Sequence, residues 1–299
     1  MWIAVSVVFA LVLVLVGLPS SLLLRAQYPS FQAPGSGDSS RTVYLFVGSD
    51  RDIERPDGDV QQTPYGRADI VLLVSLDESG AATALSVPRD LVAVGIGAPT
   101  RFAQTLQAGP QQLADAVCST LGVGVDRYVE IDTAGFVAAI DALGGIDIAL
   151  PYSLRDEAAG LALDSGPSIR VSGAQALALT RARHAEELRD GVWVQVDDMQ
   201  GAEDRATRGA QVLAAVKDRM AEAGPVELAR TAWATSSSLS IGGGLHPTEW
   251  RALATSAMDS HVLPVESTDG RLASTLGEPG RQLLEEIAFD TNCVLPATR

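Results

Sequence analysis

The sequence predicts an α/β fold, an α-β-α sandwich in which helices cover both faces of a central mixed sheet, preceded by one N-terminal transmembrane helix. Three observations support this prediction: short runs of continuously apolar residues, amphipathic helical segments that alternate with those runs, and a long uncharged stretch at the N-terminus. Continuous apolar runs are typical of strands that are buried on both faces of a sheet.

The first segment predicts a membrane anchor. Residues 2–24 carry no charge and consist mainly of Val, Leu, Ile and Ala, and roughly 20 such residues span a bilayer as a helix. A cleaved signal peptide is the alternative, but the apolar part is long for one and lacks a clear small-x-small site. We therefore predict an anchor over 1–25, a flexible tether rich in Ser, Gly and Pro over 26–41, and a folded domain over 42–299.

The strands of the folded domain come first in the chain. Thr42–Val47 and Ile70–Leu76 are apolar runs that predict buried strands. Ala82–Val87 predicts a third strand, and the turn residues 77–80 between the last two predict a hairpin. Shorter strands are expected at Val129–Ile131 and Ile146–Leu150.

Helical periodicity predicts the remaining elements. Apolar residues recur at helical spacing in Gln111–Leu121, and Asp132 is a good N-cap for a helix over Phe136–Leu143. Further helices are expected at Gly173–Arg183, Arg205–Glu222, Val226–Ser236, Thr248–Met258 and Arg281–Ile287, with an acidic loop over 186–203.

Composition limits the possible partners. Hydrophobic residues make up 46% of the 299-residue chain, which is ordinary for a globular protein, and the net charge is −15. Because an acidic surface repels phosphate polymers, the sequence argues against nucleic-acid binding, and an anionic ligand would need a local cluster of arginines. Two cysteines, Cys118 and Cys293, predict either a disulfide in an oxidising compartment or two buried thiols.

Charged residues lie at the ends of the predicted strands. Asp50 follows the first strand, Arg67 and Asp69 precede the second, and Arg89 follows the third. Because antiparallel neighbours begin and end together, the hairpin brings Asp69 and Arg89 to one end of the sheet. Surface ion pairs would explain the same pattern. A site at this end would use the arginines to neutralise phosphate and the carboxylates of Asp50 and Asp69 to bind Mg²⁺ or another divalent cation.

Other chemistries find no support. The three histidines lack metal-ligand spacing, and the sequence contains neither a phosphate-binding P-loop nor a G-x-S-x-G nucleophile motif. Phosphoryl transfer requires no covalent nucleophile on the protein, so these absences are compatible with it.

Seven stretches, in order along the chain, resemble the LytR-CpsA-Psr family of cell-wall glycopolymer ligases. They share motif sequence with that family and are LFVGSDR (45–51), GRADIVLLV (66–74), LSVPRD (85–90), YVEIDTAGF (128–136), DALGGIDI (141–148), SGAQALALTRAR (172–183) and DRATR (204–208). The resemblance covers about Val43–Met220, so the core motifs occupy 43–220 and a helical part occupies 221–299. The composition further resembles that of actinobacterial members.

The resemblance implies a catalytic domain on the outer side of the cell membrane, held by a single-pass anchor. It implies transfer of a phospho-glycopolymer from a polyprenyl pyrophosphate carrier to peptidoglycan. The residues that match the family's catalytic positions are Asp50, Asp69 and Arg89, with Asp69 considered as a base, and those that match its metal positions are Asp50 and Asp69. Those expected to bind the pyrophosphate are Arg67, Arg89, Arg181, Arg183, Arg205 and Arg208.

Three positions depart from the family pattern. Gly209 stands where a Gln is usual, Arg101 where a Lys is usual, and Ala103 where an Asn is usual. These departures leave two alternatives to the ligase: a non-catalytic polyprenyl-pyrophosphate-binding regulator or scaffold, and a polyprenyl pyrophosphatase that uses water as the acceptor.

Overall fold

A computed structural model gives the architecture of the chain. It describes residues 25–33, 41–51, 64–182, 184–195, 208–209, 211–212, 214–216, 218–244, 253, 258–267, 273–287, 289 and 292–295. Contacts divide these residues into two compact units. The sheet unit comprises the described parts of Leu24–Thr133 and Ser237–Arg299, and the inserted unit comprises those of Ala134–Ser236.

The regular elements of the described residues are numbered along the chain. The strands are β1 (Arg41–Ser49), β2 (Ala68–Asp77), β3 (Ala82–Val87), β4 (Val92–Ala93), β5 (Thr100–Arg101), β6 (Arg127–Ile131), β7 (Ile146–Leu150), β8 (Leu154–Asp156), β9 (Leu161–Leu163), β10 (Gly166–Val171), β11 (Glu186–Arg189), β12 (Val192–Gln195), β13 (Leu239–Gly242), β14 (Met258–Val262), β15 (Glu266–Ser267) and β16 (Ser274–Thr275). The helices are α1 (Phe102–Thr105), α2 (Pro110–Leu121), α3 (Thr133–Ala142), α4 (Gly173–Arg181), α5 (Pro225–Thr235) and α6 (Glu278–Glu286), and 3₁₀ turns occupy Leu106–Ala108 and Ser236–Ser238.

A six-stranded mixed sheet in the order β13-β6-β1-β2-β3-β14 forms the sheet unit. The central strand β1 pairs antiparallel with β2 and parallel with β6, which confirms the predicted mixed sheet. Residues 43–47 of β1 are all buried, because both faces of this strand are covered, as the continuous apolar run predicts. Leu113 and Val117 of α2 and Leu284 of α6 pack in one apolar core with three residues of β1, Val43, Leu45 and Val47.

The predicted β2–β3 hairpin is confirmed. Its turn is held by Asp77, whose carboxylate accepts hydrogen bonds from the Ser79 hydroxyl and the Ala81 amide. Gly80 completes the turn with a φ of 86°, in the left-handed region that favours glycine. The hairpin fixes which residues of β2 and β3 meet at its open end.

The inserted unit has a two-stranded sheet, β10-β7, and a four-stranded sheet, β12-β11-β8-β9. Its core includes Ile146 and Leu179, together with residues between 208 and 222, which are helical wherever they are described. Helix α4 begins with a capping box, in which Ser172 and Gln175 satisfy each other's backbone amides.

The prediction of a loop over 186–203 is wrong for residues 186–195, which form the β11–β12 hairpin. Asp190 and Gly191 connect the strands with φ values of 50° and 80°. A two-residue turn with both residues in the left-handed region is the type that suits a tight hairpin, and Asp-Gly is a common sequence for it. The predominance of acidic residues in this segment led to the loop prediction and obscured the Asp-Gly turn sequence.

Part of the predicted flexible tether is ordered against the sheet unit. Gln27 bridges to Ser240 of β13, and Phe31 stacks on Tyr128 with ring centroids 5.8 Å apart. Backbone hydrogen bonds of Gln27 with Leu239 and Ile241 and the aromatic contact of Phe31 attach this part of the predicted tether to the sheet unit, and residues 34–40 lie outside the described residues. The anchor predicted over 1–25 also lies outside them, apart from Arg25. Among the helices that the structure does describe, none has the length and apolar character needed to cross a bilayer.

Of the two alternatives for the cysteines, the structure has the disulfide. Cys118 of α2 is bonded to Cys293, with a Cα–Cα distance of 5.4 Å. The Cys293 amide also donates a hydrogen bond to the carbonyl of Gly122, the residue that ends α2 in the left-handed region. The bond therefore attaches the C-terminal segment to the helix that packs on the sheet. Of the predicted helix over 248–258, most residues lie outside the described ones, and Met258 begins β14.

Candidate active site

A β-bulge lies where β1 and β2 approach the open end of the hairpin. Gly48 pairs with Ile70 and Ser49 pairs with Ala68, so Asp69 is the extra residue between the two pairs. A bulge turns the side chain of the extra residue out of the regular alternation, and bulges are common beside active sites. The bulge therefore gives Asp69 an orientation that a regular ladder would not.

Asp50 is held by the other strand immediately beyond the bulge. Its amide donates to the Arg67 carbonyl at 3.0 Å, and one oxygen of its carboxylate accepts the Arg67 amide. Gly66 lies directly against the backbone of residues 50 and 51. A Cβ at position 66 would come within 2.3 Å of the backbone nitrogen of Arg51. The Arg67 side chain remains exposed.

Arg89 completes the cluster from the end of β3. Its Nη1 lies 2.5 Å from Oδ1 of Asp69, and their side chains are 30% and 43% exposed. Asp90 lies 3.8 Å from the Arg89 guanidinium and 3.7 Å from that of Arg101. The structure thus brings Asp50, Arg67, Asp69 and Arg89 to one end of the sheet, where solvent and a ligand can reach them. We call these four residues the sheet-end cluster.

A buried polar network lies beside the cluster, and the sequence patterns did not indicate it. Glu130 of β6 is fully buried and accepts hydrogen bonds from the hydroxyls of Ser49, at 2.6 Å, and Tyr128, at 2.7 Å. Burial, and then the neighbouring Glu130, raises the pKa of Tyr128 well above its usual value, so its hydroxyl stays protonated as a donor. Arg51 and Asp132 form a second buried pair, 3.0 Å apart.

The other predicted arginines belong to the inserted unit or lie outside the described residues. Arg181 ends α4, where the helix dipole favours a cation, and lines a shallow cavity of about 280 Å³ with Gln175, Val137 and apolar residues. Arg208 is only 7% exposed and donates to the Ala182 carbonyl, so it supports the end of α4. Arg183 and Arg205 lie outside the described residues, and the pyrophosphate-binding role of all four stays a prediction.

The carboxylates of Asp50 and Asp69 fit a hard divalent cation by their chemistry. One oxygen of Asp50 accepts the Arg67 amide, and one oxygen of Asp69 accepts the Arg89 guanidinium. The second oxygen of each carboxylate makes no hydrogen bond to the described protein residues. The described residues contain no group of three or more Asp, Glu, His or Cys side chains that would enclose a metal. Mg²⁺ is commonly held by one or two carboxylates together with water and substrate phosphates, which is compatible with this pair.

Comparison with known proteins decides the family. The model of the LytR_cpsA_psr family matches residues 26–241, a span that includes the sheet-end cluster and the inserted unit. The chain belongs to the LytR-CpsA-Psr family. A solved LytR-Csp2A-Psr enzyme from Actinomyces oris shares the fold with a TM-score of 0.72 and 29% identity, over 91% of this chain and 99% of that one. This agreement confirms a mixed α/β fold with a central sheet.

Curated relatives match over shorter spans. The probable cell wall biosynthesis protein LcpB of Corynebacterium glutamicum is 31% identical over 49% of this chain and 37% of its own length. The polyisoprenyl-teichoic acid–peptidoglycan teichoic acid transferase TagV of Bacillus subtilis is 30% identical over 53% of this chain and 40% of its own. The chain thus spans less than half the length of these two relatives. A structure of TagT bound to LI-WTA, at 17% identity and a TM-score of 0.54, shares the fold.

Proposed function

We propose that this LytR-CpsA-Psr protein is a phosphotransferase that moves a phospho-glycopolymer from a polyprenyl pyrophosphate carrier to a hydroxyl of peptidoglycan. The observation that carries the proposal is the sheet-end cluster, in which a bulge and a hairpin place two carboxylates beside two arginines in reach of solvent. The names of the relatives support the direction of transfer, since TagV is called a teichoic acid–peptidoglycan transferase.

The chemistry of the cluster suits displacement at phosphorus. The acceptor hydroxyl would attack the glycan-bearing phosphorus, the bond to the bridging oxygen would break, and polyprenyl phosphate would leave. Arg67 and Arg89 would neutralise the charge on the phosphoryl oxygens, and fixed cations of this kind act most strongly where charge increases in the transition state. Asp69 would accept the proton of the acceptor hydroxyl, because the bulge and Arg89 hold its carboxylate in a defined orientation.

Asp50 and Asp69 would hold Mg²⁺ or another divalent cation in the substrate complex. When bound, such a cation supplies Lewis-acid stabilisation of the pyrophosphate oxygens. The protein's own contribution is to present the two carboxylate oxygens that make no hydrogen bond to the described protein residues and to keep Asp50 fixed through the Arg67 amide.

We further propose that the domain works outside the cytoplasmic membrane, held by the predicted single-pass anchor. The Cys118–Cys293 disulfide supports this location, because disulfides persist in oxidising compartments and are rare in the cytosol. Such a location would give the site access to both a lipid-linked donor and the peptidoglycan acceptor.

Turnover of a lipid pyrophosphate tests the proposal. The purified chain in detergent would be incubated with a polyprenyl-pyrophosphate glycan and Mg²⁺, with and without a peptidoglycan acceptor. Asp69→Asn should lower product formation by about 100-fold or more, as loss of a group that acts in the transition state does. Asp147→Asn is a matched control, since Asp147 is 50% exposed and paired with Arg170 at 2.9 Å, a setting close to that of Asp69. Equal activity in the two variants would contradict the proposal.

A non-catalytic role as a binder or scaffold is the second candidate, favoured by Gly209 and Ala103. Neither position can supply the polar side chain that is usual in the family, and Ala103 is buried. Tight binding of the lipid pyrophosphate without release of polyprenyl phosphate would establish this role. Release that occurs equally well without the peptidoglycan acceptor would instead indicate a pyrophosphatase.

A further inference from the structure

Both chain neighbours of Asp50 are anchored to β6 or the residue that follows it. On the N-terminal side, the hydroxyl of Ser49 donates to the carboxylate of Glu130 at 2.6 Å. The Ser49 carbonyl accepts a hydrogen bond from the hydroxyl of Thr133 at 3.3 Å. Ser49 is 6% exposed and Glu130 is 0% exposed, so this side of Asp50 is fixed from within the sheet unit.

The C-terminal side of Asp50 is anchored by Arg51. One guanidinium nitrogen pairs with Asp132 at 3.0 Å, and the other donates to Ser240 at 3.4 Å and to Gln27 at 3.1 Å. Arg51 and Asp132 are 8% and 4% exposed. Asp50 thus lies in a partly exposed position between two residues that are themselves buried and multiply bonded.

A structural role alone does not account for a carboxylate at position 130. The neighbours of Glu130 along β6 are Val129 and Ile131, and an apolar residue of similar size would fill the same space. Burying a carboxylate is unfavourable unless hydrogen bonds compensate, and here the two described partners are neutral hydroxyls. What the carboxylate adds over an apolar residue is a fixed orientation for Ser49 and, through it, for the backbone at Asp50.

We infer that Glu130 and Asp132 are positioning residues: they fix Ser49 and Arg51 and thereby hold the Asp50 carboxylate in its working orientation. This inference rests on the proposed function only in assigning Asp50 to the reaction. Groups that act on a substrate must be held within a fraction of an ångström, and supporting residues behind them usually do this. Glu130 itself is 0% exposed, so its role would be exerted through Ser49.

The test compares two buried serines on the same strand pair. Ser49→Ala removes the hydroxyl that meets Glu130, whereas Ser75→Ala removes an equally buried hydroxyl at the other end of the β1–β2 ladder, where Ser75 pairs with Val43. Glu130→Gln keeps an oxygen for the Ser49 hydroxyl, and Glu130→Leu keeps the volume but no acceptor. Amide hydrogen exchange at Asp50 and Arg67 would be measured by NMR in each variant.

We expect Ser49→Ala and Glu130→Leu to speed exchange of the Arg67 amide by about 10-fold or more, since that amide donates to the Asp50 carboxylate. Exchange at Phe46 should not change, and Glu130→Gln and Ser75→Ala should behave like the original chain. In Ser49→Ala and Glu130→Leu, kcat for turnover of the lipid pyrophosphate should fall by about 10-fold or more. KM should change much less, because these variants misorient Asp50 and leave substrate capture intact.

Equal exchange rates at Arg67 in Ser49→Ala and Ser75→Ala would overturn the inference, as would equal losses in Glu130→Gln and Glu130→Leu. Failure of the proposed function would look different. In that case the original chain would show no turnover, yet the exchange measurements would still report whether Glu130 positions Asp50.

Discussion

Replacing Gly66 by Ala should disable the sheet-end cluster while leaving the fold intact. A Cβ on residue 66 would lie 2.3 Å from the Arg51 nitrogen, 2.7 Å from Asp50 Oδ1 and 2.8 Å from the Asp50 carbonyl carbon. Ordinary contacts of a Cβ begin near 3.4 Å, so the backbone at residues 50–51 and residue 66 must separate by about 1 Å. Two of these three contacts are with backbone atoms, which cannot rotate away.

The magnitude follows from this displacement. A shift of about 1 Å in a group that acts on the substrate can reduce a rate by about 100-fold. Overpacking by a single methyl group destabilises a protein by about 1–3 kcal/mol, which a folded domain of this size should tolerate. We therefore expect kcat to fall by about 100-fold in Gly66→Ala while urea unfolding remains cooperative.

The matched control is Gly209→Ala, because a Cβ at position 209 meets nothing within 4 Å. Both variants add the same methyl group, but only the one at residue 66 presses on Asp50. Turnover of the lipid pyrophosphate, measured alongside urea unfolding, separates loss of the site from loss of the fold. Full activity in Gly66→Ala would refute the reasoning, since it would mean that the position of Asp50 does not matter for turnover.

Three further predictions concern other parts of the chain. Cys293→Ser should lower the free energy of unfolding by about 2–5 kcal/mol, because the disulfide restricts a 175-residue loop, and urea unfolding of the original chain with reductant should shift to match. Gly209→Gln should stabilise its helix by about 0.5 kcal/mol through helix propensity, as Gly209→Ala should; if Gln also serves the acceptor, only the Gln variant will raise transfer to peptidoglycan. Asp77→Asn should lower the melting temperature at pH 7, since hydrogen bonds from the Ser79 hydroxyl and the Ala81 amide lower the pKa of Asp77 below 3.8. That stabilisation is present above pH 3.8 and is lost as pH falls through the lowered pKa. A difference in melting temperature between Asp77→Asn and the original chain that stays constant into acid would contradict this prediction.

The sequence could predict those strands whose burial is visible as a continuous run of apolar residues. Residues 70–76 and 82–87 read as apolar runs, and the structure has β2 over Ala68–Asp77 and β3 over Ala82–Val87. Strand β14 pairs with β3 over Met258–Val262 but reads MDSHV, so an apolar run could not reveal it. The parallel pairing of β14 depends on tertiary contacts that local sequence does not encode.

The candidate site was predictable in its exposed half only. Charged residues that follow strands, such as Asp50 and Arg89, can be placed at a sheet end from hairpin geometry alone. Glu130 could not, because an acid inside a short strand is as easily a solvent-facing residue. Its burial depends on tertiary packing over β6, an interior strand that pairs with both β1 and β13. The bulge at Asp69 depends on register between strands, and register is set by packing as well as by the turn.

The irregularity of the ladder argues more strongly for a site than the charges do. Arg170 and Asp147 form an exposed pair at 2.9 Å on β10 and β7, much like Arg89 and Asp69, and there the geometry is explained by simple cross-strand attraction. At the sheet end, the regular pairing of β1 with β2 runs from Arg41↔Asp77 to Gly48↔Ile70 and breaks where the cluster begins. A bulge, a glycine in close contact and a buried carboxylate occur there together, and each departs from what would stabilise the sheet most. Proteins keep such departures where the chemistry requires them, and their coincidence around Asp50 and Asp69 is the structural reason for our proposal that the reaction takes place there.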